Sequence, residues 1–297
     1  MAIKIFTTGS SGFVGTNILS ENADFQFVRH RRGAQLELGD ADVVLHLAGK
    51  AHDTRFNTDA QDYYSANTEL TKQVFDAFMI SEARVFIHFS SVKAAAGRFS
   101  GILTEEYEAN PTTVYGKSKL LAENYILARE LSKNKRVYIL RPTMIHGPGN
   151  KGNLNLLYKI VAKGIPWPMG SFENLRSFCS VSNVNFVFRE LAVREDIKSG
   201  IYNVCDDRPI STVELIEIIS AALSVRPRIW NLPKSWIQNL AKAGDLLHLP
   251  LNSERLEKLT ESSIVSNAKL VAALGKQLPT DSRDGLIRTI KSFAKHG

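Results

Sequence analysis

A parallel β-sheet covered by helices on both faces, joined to a smaller and mostly helical C-terminal domain, is the α/β architecture that this 297-residue sequence predicts. Three observations carry the prediction. Short apolar runs alternate with helical patterns through the first two thirds of the chain, as strands buried on both faces require. A turn with three glycines, Thr8-Gly9-Ser10-Ser11-Gly12-Phe13-Val14-Gly15, separates the first run from the first helical pattern. After residue 150 the alternation fades into helical segments broken at Pro227, Pro233, Pro250 and Pro279.

The expected strands are residues 3–6, 25–28, 43–48, 85–89, 137–140 and 200–204, each a short run rich in branched or aromatic residues. The fifth should stop at Arg141-Pro142, because proline cannot donate to a ladder. The expected helices are 12–21, 62–80, 114–132, 153–163 and 182–194. Ser211-Thr212-Val213-Glu214 is a capping box that opens a further helix through Leu223. Residues 236–249 are amphipathic, with a polar face that is not strongly basic, so a core or a partner is their expected neighbour. Residues 31–42 link the second strand to the third and are as short as a crossover can be, so a helix, with or without a strand, is expected to be missing or vestigial there. Residues 1–150, with 181–205 returning to them, form the expected nucleotide domain. Residues 151–180 and 206–297 form the expected substrate domain.

The composition, with 44% hydrophobic and 23% charged residues, is that of a globular protein. No apolar run approaches a membrane span, and the amino terminus enters a strand pattern without a leader-like segment, so a cytoplasmic protein is expected. The net charge of +7 suits anionic ligands, but the basic residues are scattered and no nucleic-acid-binding motif is present. Cys179 and Cys205 have neither metal-ligand nor disulfide-framework spacing and read as buried fillers; no metal site is expected.

The glycine turn has the context of a dinucleotide site. Gly9, Gly12 and Gly15 permit a tight turn, close approach to a pyrophosphate and close helix–strand packing. Ser11, Phe13 and Val14 complete the turn and open the helix, whose amino terminus presents unpaired N–H groups. The fold expected is therefore Rossmann-like. NAD sites place a carboxylate after the second strand, whereas this chain has Arg29, Arg31 and Arg32 there. NADP(H) is the expected cofactor, with NAD(H) as the alternative.

Tyr115 and Lys119 stand four apart in a helical pattern and share one face. An ammonium beside a phenol favours the phenolate and lowers a pKa that is ordinarily about 10. The pair is a candidate acid/base.

Together these segments resemble the extended short-chain dehydrogenase/reductase family, in its nucleotide-sugar epimerase, dehydratase and reductase branch. Gly9, Gly12 and Gly15 have that branch's spacing, and His46-Leu47-Ala48-Gly49 is similar to its segment beside the cofactor. Asn67 matches its helix asparagine, and Phe89-Ser90-Ser91 its serine segment, with Ser91 rather than Ser90 in the catalytic place. Tyr115-Gly116-Lys117-Ser118-Lys119-Leu120-Leu121-Ala122-Glu123 is similar to its tyrosine–lysine signature. Arg141-Pro142-Thr143-Met144-Ile145-His146-Gly147-Pro148-Gly149 resembles its next segment, with His146 in place of a tyrosine.

The resemblance implies a catalytic set of Ser91, Tyr115 and Lys119, with Leu47, Ala48, Gly49, Asn67 and Pro142 beside the cofactor. Within the branch the chain is most similar to UDP-N-acetylhexosamine 4-ketoreductases of bacterial polysaccharide synthesis, through Ser90-Ser91-Val92-Lys93, Asn150-Lys151-Gly152-Asn153 and Leu259-Thr260-Glu261-Ser262. That implies a UDP-sugar whose diphosphate meets Arg176, with Lys93, Asn155 and Arg255 as further substrate contacts and Lys159 as a weaker one. Dehydratases of the branch carry Asp-Glu where this chain has Val92-Lys93, so dehydration is not expected. The alternatives are a 4-epimerase with tightly held NAD and, more remotely, a non-catalytic NADP-binding regulator. The resemblance also implies a homodimer formed through the helices at 62–80 and 114–132.

Overall fold

The computed structural model describes residues 2–51, 59–150, 152–247 and 252–294. Lys151, Leu249 and Pro250, used in the sequence analysis, lie outside them. Six strands form the central sheet: β1 (Lys4–Thr8), β2 (Gln26–Arg29), β3 (Val43–His46), β4 (Val85–Phe89), β6 (Arg136–Pro142) and β10 (Gly200–Val204). Their order is β10-β6-β4-β3-β1-β2, and every pairing is parallel. The chain runs outward from β1 to β2 and then crosses back to β3, so the strand order reverses between β1 and β3. A parallel sheet binds its ligands at the carboxyl edge of such a crevice.

Helices α1 (Phe13–Glu21), α7 (Val181–Val193) and α11 (Ala268–Leu274) cover one face. Ile5, Val43, Leu45, Val85, Ile87 and Tyr138 meet Ile18, Val184, Phe188, Leu191 and Leu270 there. Two helices cover the other face: α3 (Leu70–Ile80), preceded by α2 (Ala60–Tyr64), and α5 (Val114–Leu127). Phe6, Val44, Phe86, Val137 and Ile139 meet Val74, Phe75, Phe78 and Ile126. Alternate residues of each strand enter opposite cores, as the two-residue period demands.

The 30–42 crossover holds neither helix nor strand. Leu38 and Ala41 are buried in the second core, where a crossover helix would otherwise pack. β6 ends at Arg141-Pro142, the stop that the sequence places there. Pro142 is the last residue of its strand, where a missing N–H costs least, and Arg141 is buried by its ion pair with Glu123. The helix expected over 114–132 ends at Leu127. The one expected over 62–80 contains a π-helical turn, Ser65–Glu69.

Beyond residue 150, α6 (Asn153–Ala162), α8 (Thr212–Ala222) and α12 (Ser282–Ala294) build a separate core around Leu154, Ile216, Ile219, Leu286 and Ile290. Ser211 caps α8 by accepting from Glu214 N at 3.0 Å. α9 (Lys234–Leu247) and α10 (Ser253–Thr260) enclose a smaller one with Met169, Ile237, Ala241 and Leu256. Three short ladders stitch these segments together and to the sheet's carboxyl end. β5 (Ile102–Leu103) runs parallel to β12 (Ile264–Val265) and β7 (Met144–His146) parallel to β9 (Phe178–Ser180), while β8 (Leu175–Arg176) runs antiparallel to β11 (Ile210–Ser211). His146, buried in β7, faces Thr289 at 2.9 Å and Asp206 at 3.3 Å, which ties the sheet's end to α12.

Candidate active site

The glycine turn leads from β1 into α1 at the reversal point. Gly9 has φ +73°, and a Cβ there would stand 2.6 Å from the amide nitrogen of Ala48. A Cβ on Gly15 would stand 2.5 Å from the Gly9 carbonyl oxygen, and one on Gly12 3.3 Å from it. The turn is thus packed against itself and against Leu47-Ala48, and only glycine fits its narrowest points. α1 begins without a side-chain cap and has no acidic residue in its first turn, so its leading N–H groups and dipole are available to an anion. These residues fit the pyrophosphate of a dinucleotide. Arg29 ends the edge strand β2 and is exposed, as are Arg31 and Arg32, and residues 29–32 hold no carboxylate.

Asn67 lies in the π-helical turn and is wholly buried. Its Oδ1 accepts from Lys50 N at 2.7 Å, and its Nδ2 donates to Lys50 O and Ser118 Oγ, both at 3.0 Å. It therefore clamps the segment after Gly49 to α5. A Cβ on Gly49 would fall 2.7 Å from Asn67 Oδ1 and 3.1 Å from Lys119 Nζ, so Gly49, Asn67 and Lys119 meet at one point. A π-turn places one extra residue in a helical turn and is common at functional sites.

Ser91 ends the strand segment and caps α4 (Val92–Ala95), accepting from Lys93 N at 3.2 Å. Thr113 caps α5, accepting from Gly116 N at 3.0 Å. α5 then carries Tyr115 and Lys119 up to Ser91 and Phe89. The Tyr115 phenol is pushed above its ordinary value by burial, against the pull of a hydrogen bond with Ser91. Lys119 Nζ donates to the Phe89 carbonyl at 2.8 Å rather than to the phenol. This corrects the expectation that the lysine lowers the tyrosine's pKa. A buried ammonium takes a fixed acceptor, the end of β4 offers one, and burial itself lowers the lysine to about 8.

The two neighbouring serines have different surroundings. Ser90 is buried and donates to Glu123, which also pairs with Arg141 at 2.5 Å. Ser91 alone of the two meets the tyrosine. Glu123 and Arg141 are partners of this cluster to which the motifs gave no role. Their signal was present, since a carboxylate four residues beyond Lys119 and an arginine ending a central strand are both costly to bury alone.

Below the site His46 and His88 stack at 5.3 Å. Burial first, then the Lys119 charge, lowers His46 to about 3. It stays neutral, held by Thr8 at 2.6 Å and Thr71 at 2.9 Å.

The expected substrate residues come from distant segments. Arg176 in β8 donates through Nη2 to Lys258 O and through Nε to Glu261 O at 3.3 Å, at the end of α10. Lys93 Nζ donates to Gly97 O at 2.9 Å. Burial lowers Lys93, with Glu261 opposing the shift and Arg176 and Arg98 adding to it, so these four groups share one field. Arg98 reaches Glu257 of α10 at 2.6 Å. Asn155 is turned to its own loop, donating to Asn150 O at 2.5 Å. Lys159 is exposed in α6, and Arg255 is exposed in α10. Pro142, paired with Val204, closes β6. Cys179 and Cys205 are buried free thiols, the latter pushed up to about 12 by burial. Among the described residues no cluster of metal-ligating side chains forms.

The sequence pattern of the NAD dependent epimerase/dehydratase family matches residues 29–205. The chain belongs to this family. It is 31% identical to a UDP-glucose 4-epimerase of Vibrio cholerae, over 99% of this chain and 96% of that one. It is 28% identical to an N-acetyl-α-D-glucosaminyl-diphospho-ditrans,octacis-undecaprenol 4-epimerase of Escherichia coli O157:H7, over 77% and 75%. In fold it is similar to a Bacillus cereus UDP-glucuronic acid 4-epimerase in complex with NAD, with TM-score 0.76, 20% identity and 99% of each chain covered. It is also similar to the RMD protein of Pseudomonas aeruginosa complexed with NADPH, with TM-score 0.74, 23% identity and full coverage of both chains. The protein is a nicotinamide-dependent enzyme of the nucleotide-sugar epimerase/reductase type. Among the described residues no helix is long and apolar enough to cross a membrane.

Proposed function

We propose that the enzyme is a cytoplasmic NADPH-dependent reductase of the 4-keto group of a UDP-activated amino sugar, in bacterial polysaccharide synthesis. The observation that carries this reading is that α5 sets Tyr115 and Lys119 against the Ser91–Lys93 turn and the end of β4, where a Cβ on Gly116 would stand 2.3 Å from Lys93 O and Lys119 Nζ donates to Phe89 O at 2.8 Å. A ketone being reduced needs a proton at its oxygen, and a half-buried tyrosine that keeps its proton is the acid that supplies it. A bound nicotinamide supplies the hydride. Ser91 directs its hydroxyl to the same carbonyl oxygen and supports the charge that develops there. Lys119, anchored on the Phe89 carbonyl beside Gly49 and Asn67, stands ready to hold the ribose. No carboxylate follows Ser91, since Val92 and Lys93 stand there, which leaves Tyr115 to act without a second acid for dehydration.

Residues 1–150 with 181–205 serve as the nucleotide domain, and Arg29, Arg31 and Arg32 favour a 2′-phosphate. Arg176 reads the sugar diphosphate from the remaining segments, with Lys93 beside it; bidentate guanidinium contacts suit that group. A homodimer through the α3 and α5 face completes the reading.

The similarity to the V. cholerae protein favours a second reading, a UDP-sugar 4-epimerase. One experiment separates them. With a UDP-4-keto amino sugar, a reductase consumes NADPH in equal measure with the ketone. An epimerase interconverts the 4-hydroxy sugars with no net loss of cofactor, and that result overturns the reductase reading.

A further inference from the structure

Tyr63 in α2 stands ring to ring with Tyr115. The two meet edge to face, with centroids 6.3 Å apart and planes at 62°. Lys50 Nζ lies 5.6 Å from the centroid of the Tyr63 ring and pairs with Asp62 at 2.9 Å. The backbone of Lys50 is held at both its N–H and its carbonyl by Asn67. Asn67 also donates to Ser118 Oγ at 3.0 Å, and Ser118 Oγ donates to Tyr115 O at 2.8 Å. The contacts close a circuit from Tyr115 through Tyr63, Lys50, Asn67 and Ser118 back to Tyr115.

Ser118 and the Thr113 cap fix the backbone of the turn that bears Tyr115, but a fixed Cα leaves the side-chain torsions to be set by neighbours. Lys119 does not set them, because it donates to Phe89 O. The core does not enclose the ring either, since Tyr115 is only half-buried. Among the described residues Tyr63 is the aromatic neighbour that meets it. Edge-to-face rings have a preferred angle, and an ammonium over the second ring steadies that ring in turn. The π-turn carries the circuit, with Tyr63 on the turn before it and Asn67 within it, and such turns are common at functional sites.

We propose that Tyr63 is a positioning residue: its ring, steadied by Lys50, holds the Tyr115 ring at the angle from which the phenol gives its proton to the substrate oxygen. The inference rests on Tyr115 as the acid of the proposed function. A phenol displaced by about 1 Å transfers its proton far more slowly. The ring of Tyr63 does this work, so phenylalanine can replace it and an aliphatic side chain cannot.

The test is turnover of the full chain, by NADPH consumption with the UDP-4-keto amino sugar or by epimerisation, whichever the wild type performs. Tyr63→Ala should lower kcat by about 10²-fold with KM nearly unchanged. It should also raise the solvent deuterium isotope effect on kcat, because a displaced phenol makes proton transfer limiting. Tyr63→Leu, which keeps an apolar filler and guards against a variant that fails to fold, should match it. Tyr63→Phe should return kcat to within about threefold of the wild type. Tyr115→Phe separates the two failures. If Tyr115→Phe keeps its turnover, the proposed function falls and this inference with it. If Tyr115→Phe is inactive while Tyr63→Ala and Tyr63→Leu keep the wild-type kcat and isotope effect, this inference alone is overturned. A Tyr63→Phe as slow as Tyr63→Leu overturns it too. In protein with labelled tyrosine rings, the Tyr115 signals, assigned by their loss in Tyr115→Phe, should show faster ring flipping in Tyr63→Leu. Equal flipping overturns the proposal whatever the turnover.

Discussion

Two polar clusters occupy one helix and use their burial differently. One turn of α5 brings Tyr115 and Lys119 to Ser91 and Phe89; the next brings Glu123 to Ser90 and Arg141. In the second cluster every formal charge has its opposite, with Arg141 contacting Glu123 through Nε and Nη2 at 2.5–3.2 Å. In the first, a buried lysine has a carbonyl oxygen as its hydrogen-bond acceptor and Glu123 only as a more distant charge, and a half-buried phenol meets a serine. The paired cluster holds α5 against β4 and β6. The incompletely paired one keeps reactive protons, and its cost is carried by the neighbour that is paired.

That contrast can be broken from either side. Tyr115→Phe should lower kcat by about 10²–10⁴-fold with the melting temperature nearly unchanged, as steady-state turnover and thermal unfolding will report. Arg141→Ala should do the opposite, costing about 3–5 kcal/mol of stability because Glu123 is left charged and buried. Replacing both Glu123 and Arg141 with apolar residues of similar size should cost less than either single change, read by urea unfolding.

Lys119→Met sharpens the comparison. It should abolish turnover yet stabilise the cofactor-free fold by roughly 3 kcal/mol at neutral pH, since burial depresses the lysine from 10.5 to about 8. Between pH 8 and about 10 the unfolded chain binds that proton and the folded one does not, so wild-type stability rises with pH and the difference from the variant narrows. Above pH 10 the raised Tyr115 reverses the trend, because the unfolded phenol ionises first. Equal pH profiles for the two proteins would contradict this account.

The adjacent serines give a smaller split. Ser90→Ala should cost about 1–2 kcal/mol through its bond to a charged partner and leave turnover within a factor of about two. Ser91→Ala should slow turnover far more than Ser90→Ala does, while costing about 1 kcal/mol through loss of its cap on Lys93 N. Thr113→Ala, which removes the cap of α5, should cost about 1 kcal/mol and weaken both clusters together.

The cluster that contains the proposed chemistry was legible in the sequence because its parts are local. Tyr115 and Lys119 share a face by spacing alone, and Gly9, Gly12 and Gly15 mark a turn that larger residues cannot make. The missing crossover helix was legible in the short 31–42 link. Other features were not. The π-turn at Asn67 is invisible to an average helical period, since one inserted residue leaves the apolar pattern on either side intact. The strand end at Arg141-Pro142 was legible from the proline, but the burial of Arg141 against Glu123 was not.

By itself the sequence determined the parallel sheet, the glycine-lined phosphate turn and the tyrosine–lysine face, all of which follow from the order and spacing of neighbouring residues. Tertiary structure decided which serine meets the tyrosine and where the lysine spends its charge. It brought Arg176 to the carbonyls of Lys258 and Glu261, and it set the Tyr63 ring against Tyr115. Each of these depends on which groups, distant along the chain, share a buried volume, and burial sets both the cost of a charge and the partner it must find.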